Sequence, residues 1–491
     1  MIHVPLPTAA RHSLRGAFLG LLAAGVLLAA TGGPAFAQAS RPARPPVPPP
    51  PVDFDLGLDT RVREKTLHNT IDFDYDESES LGELNTASDA HFFRVRHRLW
   101  AQLRFRAGWR LYSRFTTEWR KYMTPYLTPE KTEIIVDNLY LDLPNIPGLP
   151  LSARIGRQDL VRGEGFLLFE GGPRDGSRSI YHNAILLSLG GTPLGLPKTK
   201  LELMAIRNPA WDEYIVANGW TAQQRAAGAG RIVESDETAL GLYVTHEGFE
   251  KHKLEGYYFH KEEELPEAAN PSLTLHTVGA RAAGSLPLAA EYAVEGALQF
   301  GRHNPQASAD EQYDHRSFGG YAWLKRSFRF LLIRPAVRLG GVYLSGDDPG
   351  APGDPDPTDQ GWNPLFSRWP KWSELYIYSL IPESGRVAYW TNFSALTVAA
   401  DLEVSSRVAL TYAFYYMTAP QTHDPLRSPA SFQSGYFGSG TERGINHQWK
   451  LSVDMNPSIR WHFLIERFVP GDFYLPQDDA YFVRWELMLI K

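Results

Sequence analysis

The stretch "HFFRVRHRLWAQLRFRAGWRLYSRFTTEWRKY", His91 to Tyr122, contains eight arginines, and every one falls on an even position: Arg94, Arg96, Arg98, Arg104, Arg106, Arg110, Arg114 and Arg120. The odd positions carry Phe93, Val95, Leu99, Leu103, Phe105, Trp109, Leu111, Phe115 and Trp119. On a helix, residues two apart lie about 200° apart around the axis, so the charges would spread over both faces. On a strand they share one face. The stretch therefore reads as two strands with a guanidinium face and an aromatic face, joined at Arg106-Ala107-Gly108. A three-residue hairpin loop pairs Phe105 with Trp109 and puts Gly108 in the left-handed region.

The same alternation recurs to the end of the chain and predicts an all-β protein of about 18 strands between residues 53 and 491. Its connections alternate short and long. Tight joins fall at Arg106–Gly108, around Ser405-Ser406 and at Asn456-Pro457-Ser458, whereas Thr70–Ala90, Pro209–Ser235, Asp347–Thr391 and Pro420–Glu442 are long. Short turns on one side and long loops on the other predict a transmembrane antiparallel β-barrel with periplasmic turns and extracellular loops, located in the bacterial outer membrane. An arginine facing mid-bilayer lipid costs roughly 2–4 kcal/mol. The even-numbered arginines therefore face the lumen, and 18 strands leave that lumen open. The lipid face of the last strands then carries Trp449, Leu451, Val453, Trp461, Phe463, Ile465, Val483, Trp485, Leu487 and Leu489.

Residues 1–37 read as a signal peptide: Arg11 and Arg15, the apolar run "GAFLGLLAAGVLLAA" and the small-residue end Ala35-Phe36-Ala37. Residues 38–52, "QASRPARPPVPPPPV", read as a proline-rich periplasmic tether, and 53–491 as the barrel. There is no cysteine in 491 residues, which excludes a disulfide scaffold and a thiol nucleophile. The net charge is −6, and loss of Arg11 and Arg15 takes it to −8, against a nucleic-acid partner.

Sorted by face, the inward cations are Arg94, Arg96, Arg98, Arg104, Arg114, Arg120 and Arg154, then Arg334 and Arg338 on a thirteenth strand over 331–345, and Arg460 and Arg484 on the last two. The inward acids are Glu118, Glu291, Glu295, Asp401, Glu403, Asp454, Glu466 and Glu486. Part of such a set braces the wall as salt bridges. The remainder makes an anion-selective pathway. The acidic loops holding Asp72, Asp74 and Asp76 and Asp354 and Asp356 are candidate Ca²⁺ sites at the outer surface, beside lipopolysaccharide and the other outer-membrane lipids. No other cofactor is expected. Trp362–Trp390 is too apolar for a free loop, so 347–391 is expected either to gate the barrel mouth or to form an aromatic rim.

At "LSARIGRQDLVRGEGFLLFEGGPRDGSRSIYHNAILLS", Leu151 to Ser188, the chain resembles the alginate export family of outer-membrane porins. The elements shared are "RIGRQ" (Arg154–Gln158), the turn at Gly163, "RDGSRS" (Arg174–Ser179) and the preceding "VDNLYLDL" (Val136–Leu143). The resemblance implies an 18-stranded barrel that passes a polyuronate through an arginine-rich constriction, with Arg154 and Arg157 on the pathway. Strict alternation from Arg154 points Arg157 outward, so Arg157 needs a bulge or an interfacial position.

The function expected is a channel for an anionic polysaccharide or oligosaccharide, alginate-like, working in export with a periplasmic partner. The alternative is an uptake porin for small anions or acidic sugars. An outer-membrane enzyme would need an outward nucleophile beside a histidine such as His97 or His447, and no such motif stands there. A soluble secreted β-rich binding protein is the remaining alternative.

Overall fold

The computed structural model describes residues 52–74, 80–81, 86–124, 131–169, 181–210, 215–218, 235–264, 272–304, 313–328, 333–348, 358–367, 371–423 and 435–491, with the backbone alone at 80–81, 86–87, 131–133 and 215–218. The signal peptide and, but for Val52, the tether lie outside these residues. So do Asp76, Asp354 and Asp356. Val52 already opens the first strand.

The barrel strands, in chain order, are β1 (Val52–His68), β2 (Ala90–Phe105), β3 (Arg110–Thr124), β4 (Lys131–Leu143), β5 (Leu151–Gln158), β6 (His182–Gly190), β7 (Thr199–Asn208), β8 (Asp236–His246), β9 (His252–Glu264), β10 (Leu273–Leu286), β11 (Ala290–His303), β12 (Tyr313–Ser327), β13 (Pro335–Leu344), β14 (Phe393–Ser405), β15 (Val408–Thr418), β16 (Glu442–Asn456), β17 (Ile459–Pro470) and β18 (Ala480–Ile490). Each pairs antiparallel with its neighbours in sequence, and β18 pairs with β1 from Asp59↔Ile490 to His68↔Tyr481. The sheet is thus a closed 18-stranded antiparallel barrel with no free edge. The start of β1, the end of β18 and the short turns share one end, and the long connections share the other.

Facing follows the alternation. Arg94, Arg96, Arg98, Arg114 and Glu118 are buried in the interior, whereas Phe105, Trp109, Trp119, Trp449 and Phe463 are exposed on the outside. Around Arg106-Ala107-Gly108 the Phe105 N–H donates to the Trp109 carbonyl at 2.9 Å, and Gly108 has φ +83°. The β16–β17 join differs in detail. Asn456 pairs with Ile459 across a two-residue turn, and a bulge at Met455 restores the parity that lets Asp454 face Arg460.

The interior is packed. The connection between β13 and β14 turns inward and buries Trp362, Leu365, Phe366, Leu375, Tyr376, Leu380 and Trp390. Two single-turn helices, Tyr376–Ser379 and Ile381–Ser384, fold its middle. The start of the β5–β6 connection also turns inward and buries Phe166, Leu167, Leu168 and Phe169. The two segments meet where Phe166 stacks on Trp362 at 5.3 Å and the Phe366 N–H donates to the Leu167 carbonyl at 3.0 Å. Apolar side chains that would be costly at a loop tip are thereby removed from water. The described residues of Trp362–Trp390 form an interior segment and not an aromatic rim.

Candidate functional site

The lumen has two contrasting walls. The first is built by β18, β1, β2 and β3. Arg484 stands on β18, Arg61, Arg63 and Lys65 on β1, Arg94, Arg96 and Arg98 on β2, and Arg114 and Arg120 on β3. The strand register aligns them, with Lys65 opposite Arg484, Arg63 opposite Arg94, and Arg61 opposite Arg96. These nine cations face Glu486, Asp59 and Glu118 on the same strands, and Asp137 of β4, Asp159 and Glu374 beside them. Away from the short-turn end, where Arg104 and Arg110 of the same strands meet Asp53, Asp55 and Asp142, the wall therefore holds nine cations against six carboxylates among the described residues.

The pairing is close. Arg94 Nε donates to both oxygens of Glu118 at 2.9 Å, and Arg120 Nε to the same carboxylate at 3.0 Å. Arg96 lies 3.3 Å from Asp59 and Arg98 3.7 Å from Asp137, while Arg63 and Arg61 share Glu486. Arg114 bridges Asp137 at 2.7 Å and Asp159 at 2.9 Å. Arg484 reaches Glu374 of the infolded segment at 2.6 Å and His462 at 3.0 Å. Asp137 reaches two arginines because it sits in a bulge of β4, between the pairs Arg114↔Asn138 and Phe115↔Val136.

That bulge also accounts for Arg157. Its side chain is buried, donates to the Val136 carbonyl at 2.9 Å and to Asn183 at 3.0 Å, and lies 3.9 Å over the Tyr181 ring. It acts as a local brace where the ladder is interrupted. Arg334 requires a correction: β13 starts at Pro335, so Arg334 lies in the preceding turn at φ +37° and is exposed beside Glu403. A turn residue outside the ladder is not bound by the parity that placed it inside.

The remaining pathway candidates are lumenal and nearer the short-turn end. Arg104 pairs with Asp53 and Asp55, Arg154 with both oxygens of Asp142 at 2.9 Å, and Arg460 with Asp454 at 3.7 Å. Arg338 is half-buried, and its Nε has no hydrogen-bond partner among the described residues. Arg61, Arg63 and Lys65 were not among the candidates, although "RVREK" (Arg61–Lys65) shows the same alternation at odd positions.

The facing wall, β7 to β12, is different. Lys200, Lys253, Lys261, Arg281 and Lys325 stand among Glu202, Glu237, Glu255, Glu263, Glu291 and Glu295, with Tyr243, Tyr257 and Tyr321 between them. Lys261 uses all three ammonium donors, on Glu237 at 2.8 Å, Glu263 at 2.7 Å and the Leu365 carbonyl at 2.9 Å. Gln299 exchanges two hydrogen bonds with the Asn363 backbone, at 2.8 and 3.0 Å. The infolded segment then crosses to β16 and β17, beside the first wall. Glu466 accepts from Ser373 Oγ at 2.5 Å and from the Glu374 N–H at 2.9 Å, and Arg443 binds Glu383 at 2.7 Å.

The two infolded segments are tied to each other by charge at Glu164. Its carboxylate accepts from Trp323 Nε1 at 2.9 Å, Lys371 at 3.2 Å and Arg281 at 3.4 Å. Burial pushes this carboxyl up, but Lys371, Trp323 and Arg281 outweigh it and hold it below the usual glutamate range. Burial draws Lys371 down, against the pull of Glu164.

Of the candidate metal ligands, Asp72 accepts from Ser88 Oγ. Among the described residues no group of three His, Asp or Glu side chains forms a metal site. His97 and His447 sit on Thr60 and on the Tyr412 hydroxyl, each at 2.9 Å.

Comparison with solved structures finds the same barrel in OpdK of Pseudomonas aeruginosa, an outer-membrane protein, at TM-score 0.51 and 11% identity, over 89% of this chain and 98% of that one. OpdK solved with vanillate gives 0.51 and 10% over the same shares, and OccD3 (OpdP) of that organism gives 0.50 and 7%, over 89% and 91%. At these identities the likeness is one of fold. No curated protein matches the chain in sequence. The alginate export family model matches residues 222–485, C-terminal to the stretch that first resembled it. With more than half of its length so matched on a closed 18-stranded barrel, the chain belongs to the alginate export family of outer-membrane β-barrel porins.

Proposed function

We propose that this outer-membrane channel passes an anionic polysaccharide or its oligomers, of the alginate-like polyuronate class, from the periplasm outward along the β18–β3 wall, and that it acts without enzymatic chemistry. The observation that carries this reading is the imbalance of that wall away from its short-turn end, nine cations against six carboxylates among the described residues. Balanced ion pairs would brace a barrel without favouring either sign of ion. A surplus of fixed positive charge in a narrow lumen lowers the energy of an anion there. Guanidinium groups at successive even positions offer a polyuronate, with one carboxylate per sugar, a file of similar weak sites between which it can step. Export is the direction inferred from the family.

The test is the reversal potential of the refolded protein in a planar bilayer under a KCl gradient, repeated with polyuronate added. Anion selectivity, block by polyuronate and weakening of both by Arg94→Ala with Arg96→Ala are the expected results. Cation selectivity, or a current indifferent to polyuronate, would reject the anionic cargo while leaving the barrel intact.

A further inference from the structure

We propose that Glu164 occupies a uronate subsite of its own channel, so that a carboxylate of the cargo takes its place on Arg281, Lys371 and Trp323 and unties the two infolded segments. This rests on the polyuronate reading above and deepens it.

The subsite is built on three elements. Arg281 comes from β10, Trp323 from β12, and Lys371 from the segment between β13 and β14. Their donors converge on one carboxylate, at 3.4, 2.9 and 3.2 Å. The Tyr321 ring lies 4.0 Å below the Lys371 ammonium, and its hydroxyl accepts from Arg281 Nε at 3.3 Å. Convergent cationic donors beside flat aromatic surfaces suit an acidic pyranose, whose carboxylate takes the donors while its apolar face lies on a ring.

The sequence presents Glu164 to this site deliberately. It stands between Gly163 at φ +56° and Gly165 at φ +80°, both in the left-handed region. A Cβ on Gly163 would lie 2.9 Å from Arg281 Cδ, so any other residue there would push the Arg281 side chain aside. The turn is held from behind by Arg162, which grips Glu202 at 2.9 and 3.0 Å.

Charge makes the exchange selective. Lys253, Arg281 and Lys371 face Glu164, Glu255 and Glu295 in this cluster. Withdrawal of Glu164 leaves one positive charge uncovered, which one uronate restores and a neutral sugar does not. The Glu164 side chain keeps 29% exposure, so a solute in the lumen can reach it, whereas Glu255 keeps 1% and Glu295 3%. Glu164 is the member of the three that can be exchanged.

Exchange also acts mechanically. Glu164 is on the β5–β6 connection and Lys371 on the β13–β14 segment, so the pair is a tie between the two. Beside it remain Ser367 Oγ on the Gly165 carbonyl at 2.6 Å and the backbone bridge at Leu168 and Phe366.

The test compares the wild-type channel with Glu164→Gln and Lys371→Met in planar bilayers, titrated with a mannuronate tetramer and with maltotetraose, after each variant is shown to be folded by heat-modifiable gel migration. Glu164→Gln should raise the resting conductance and lower the half-blocking concentration of the uronate about tenfold, since an internal competitor with charge-assisted bonds is lost. Lys371→Met should raise the conductance and weaken uronate block. Maltotetraose should respond to neither change. A wild-type current blocked by the uronate, with the same half-block and conductance in Glu164→Gln, overturns the subsite alone. A current that the uronate leaves untouched in all three proteins overturns the polyuronate reading, and the subsite with it.

Discussion

The β18–β3 wall and the β7–β12 wall solve the same problem, burying charge inside a barrel, in opposite ways. On the first, cations outnumber carboxylates, and single acids serve several guanidinium groups: Glu118 takes Arg94 and Arg120, and Asp137 takes Arg98 and Arg114. On the second, acids outnumber cations, and tyrosine hydroxyls fill the deficit: Tyr257 and Tyr321 both donate to Glu295, and Tyr243 donates to Glu255. The difference teaches that an arginine-rich strand is not by itself an open pathway. Most of these arginines are bound in pairs, and the functional quantity is the surplus left after pairing.

The comparison breaks most visibly if the segment that bridges the walls is removed. Replacing residues 371–390 with a short Gly/Ser linker takes away the contacts at Glu466, Arg443 and Arg484. Single-channel conductance should rise by roughly an order of magnitude, because an 18-stranded barrel without interior packing is a water-filled pore. The enlarged current should prefer anions, since the surplus wall is then bare. A larger current with no preference would mean that the surplus is neutralised by other groups.

Carboxylate removal sharpens the contrast between walls. Glu118→Gln leaves the buried Arg94 and the half-buried Arg120 without their shared counter-charge, a loss of about 3–5 kcal/mol for a broken buried pair. Glu255→Gln should cost roughly half as much by the same reasoning, because Arg281 keeps Glu295 and Glu164 nearby. Urea titration of the two variants in detergent or bilayers checks the order. Equal losses would show that the walls are electrostatically alike.

How far the sequence carried this picture depends on which residues obey alternation. Within a ladder, parity fixes facing, so Arg94, Arg96, Arg98, Arg104, Arg110, Arg114, Arg120, Arg154, Arg338, Arg460 and Arg484 were placed on the lumenal face correctly from position alone, whereas Arg106 lies in the turn after β2 and outside that rule. Arg334 was not, because it precedes the ladder. Arg157 is buried although its parity points outward, and the bulge at Asp137 explains its partners, though it was anticipated only as a requirement. The stretch Trp362–Trp390 announced by its aromatics that it must be covered, but not by what. Its anchors, Lys261, Gln299, Arg443 and Glu466, lie 60 to 104 residues away in sequence, and no local pattern signals such pairs. Glu164 was similarly invisible, since "GEG" indicates a turn and not the site that the turn enters.

The Glu164 tie makes a pH prediction. Its carboxyl is held below the ordinary value of 4.5 in the folded channel. A depressed value means that the folded state favours the carboxylate, so the stabilisation is complete above about pH 4.5 and is lost as pH falls through the folded value. The groups facing it, Arg281, Lys371 and Trp323, with Glu255 and Glu295 behind, hold this one tie between the two segments only while it is charged. Wild-type conductance should therefore climb on acidification below pH 4.5 relative to Glu164→Gln, which lacks the titrating group. Parallel pH profiles for the two proteins would show that the tie does not hold the segments.

The smallest effect is expected at Arg338, which tests whether every lumenal arginine is structural. It stands opposite Lys325 across the β12–β13 ladder, and its Nε finds no hydrogen-bond partner among the described residues. Asp401, the nearby acid, is already engaged by Lys325 at 2.8 Å and by Thr411 at 3.0 Å. Arg338→Ala thus breaks no ion pair among the described residues, and removing it also relieves repulsion with Lys325. Stability should stay within about 0.5 kcal/mol, as for substitutions away from a bonded network, while the reversal potential shifts slightly toward cations. A loss comparable with that of Glu118→Gln would instead mean that Arg338 balances Asp401 through the field alone. The β13–β14 pair would then depend on its arginine as fully as the basic wall depends on its glutamate.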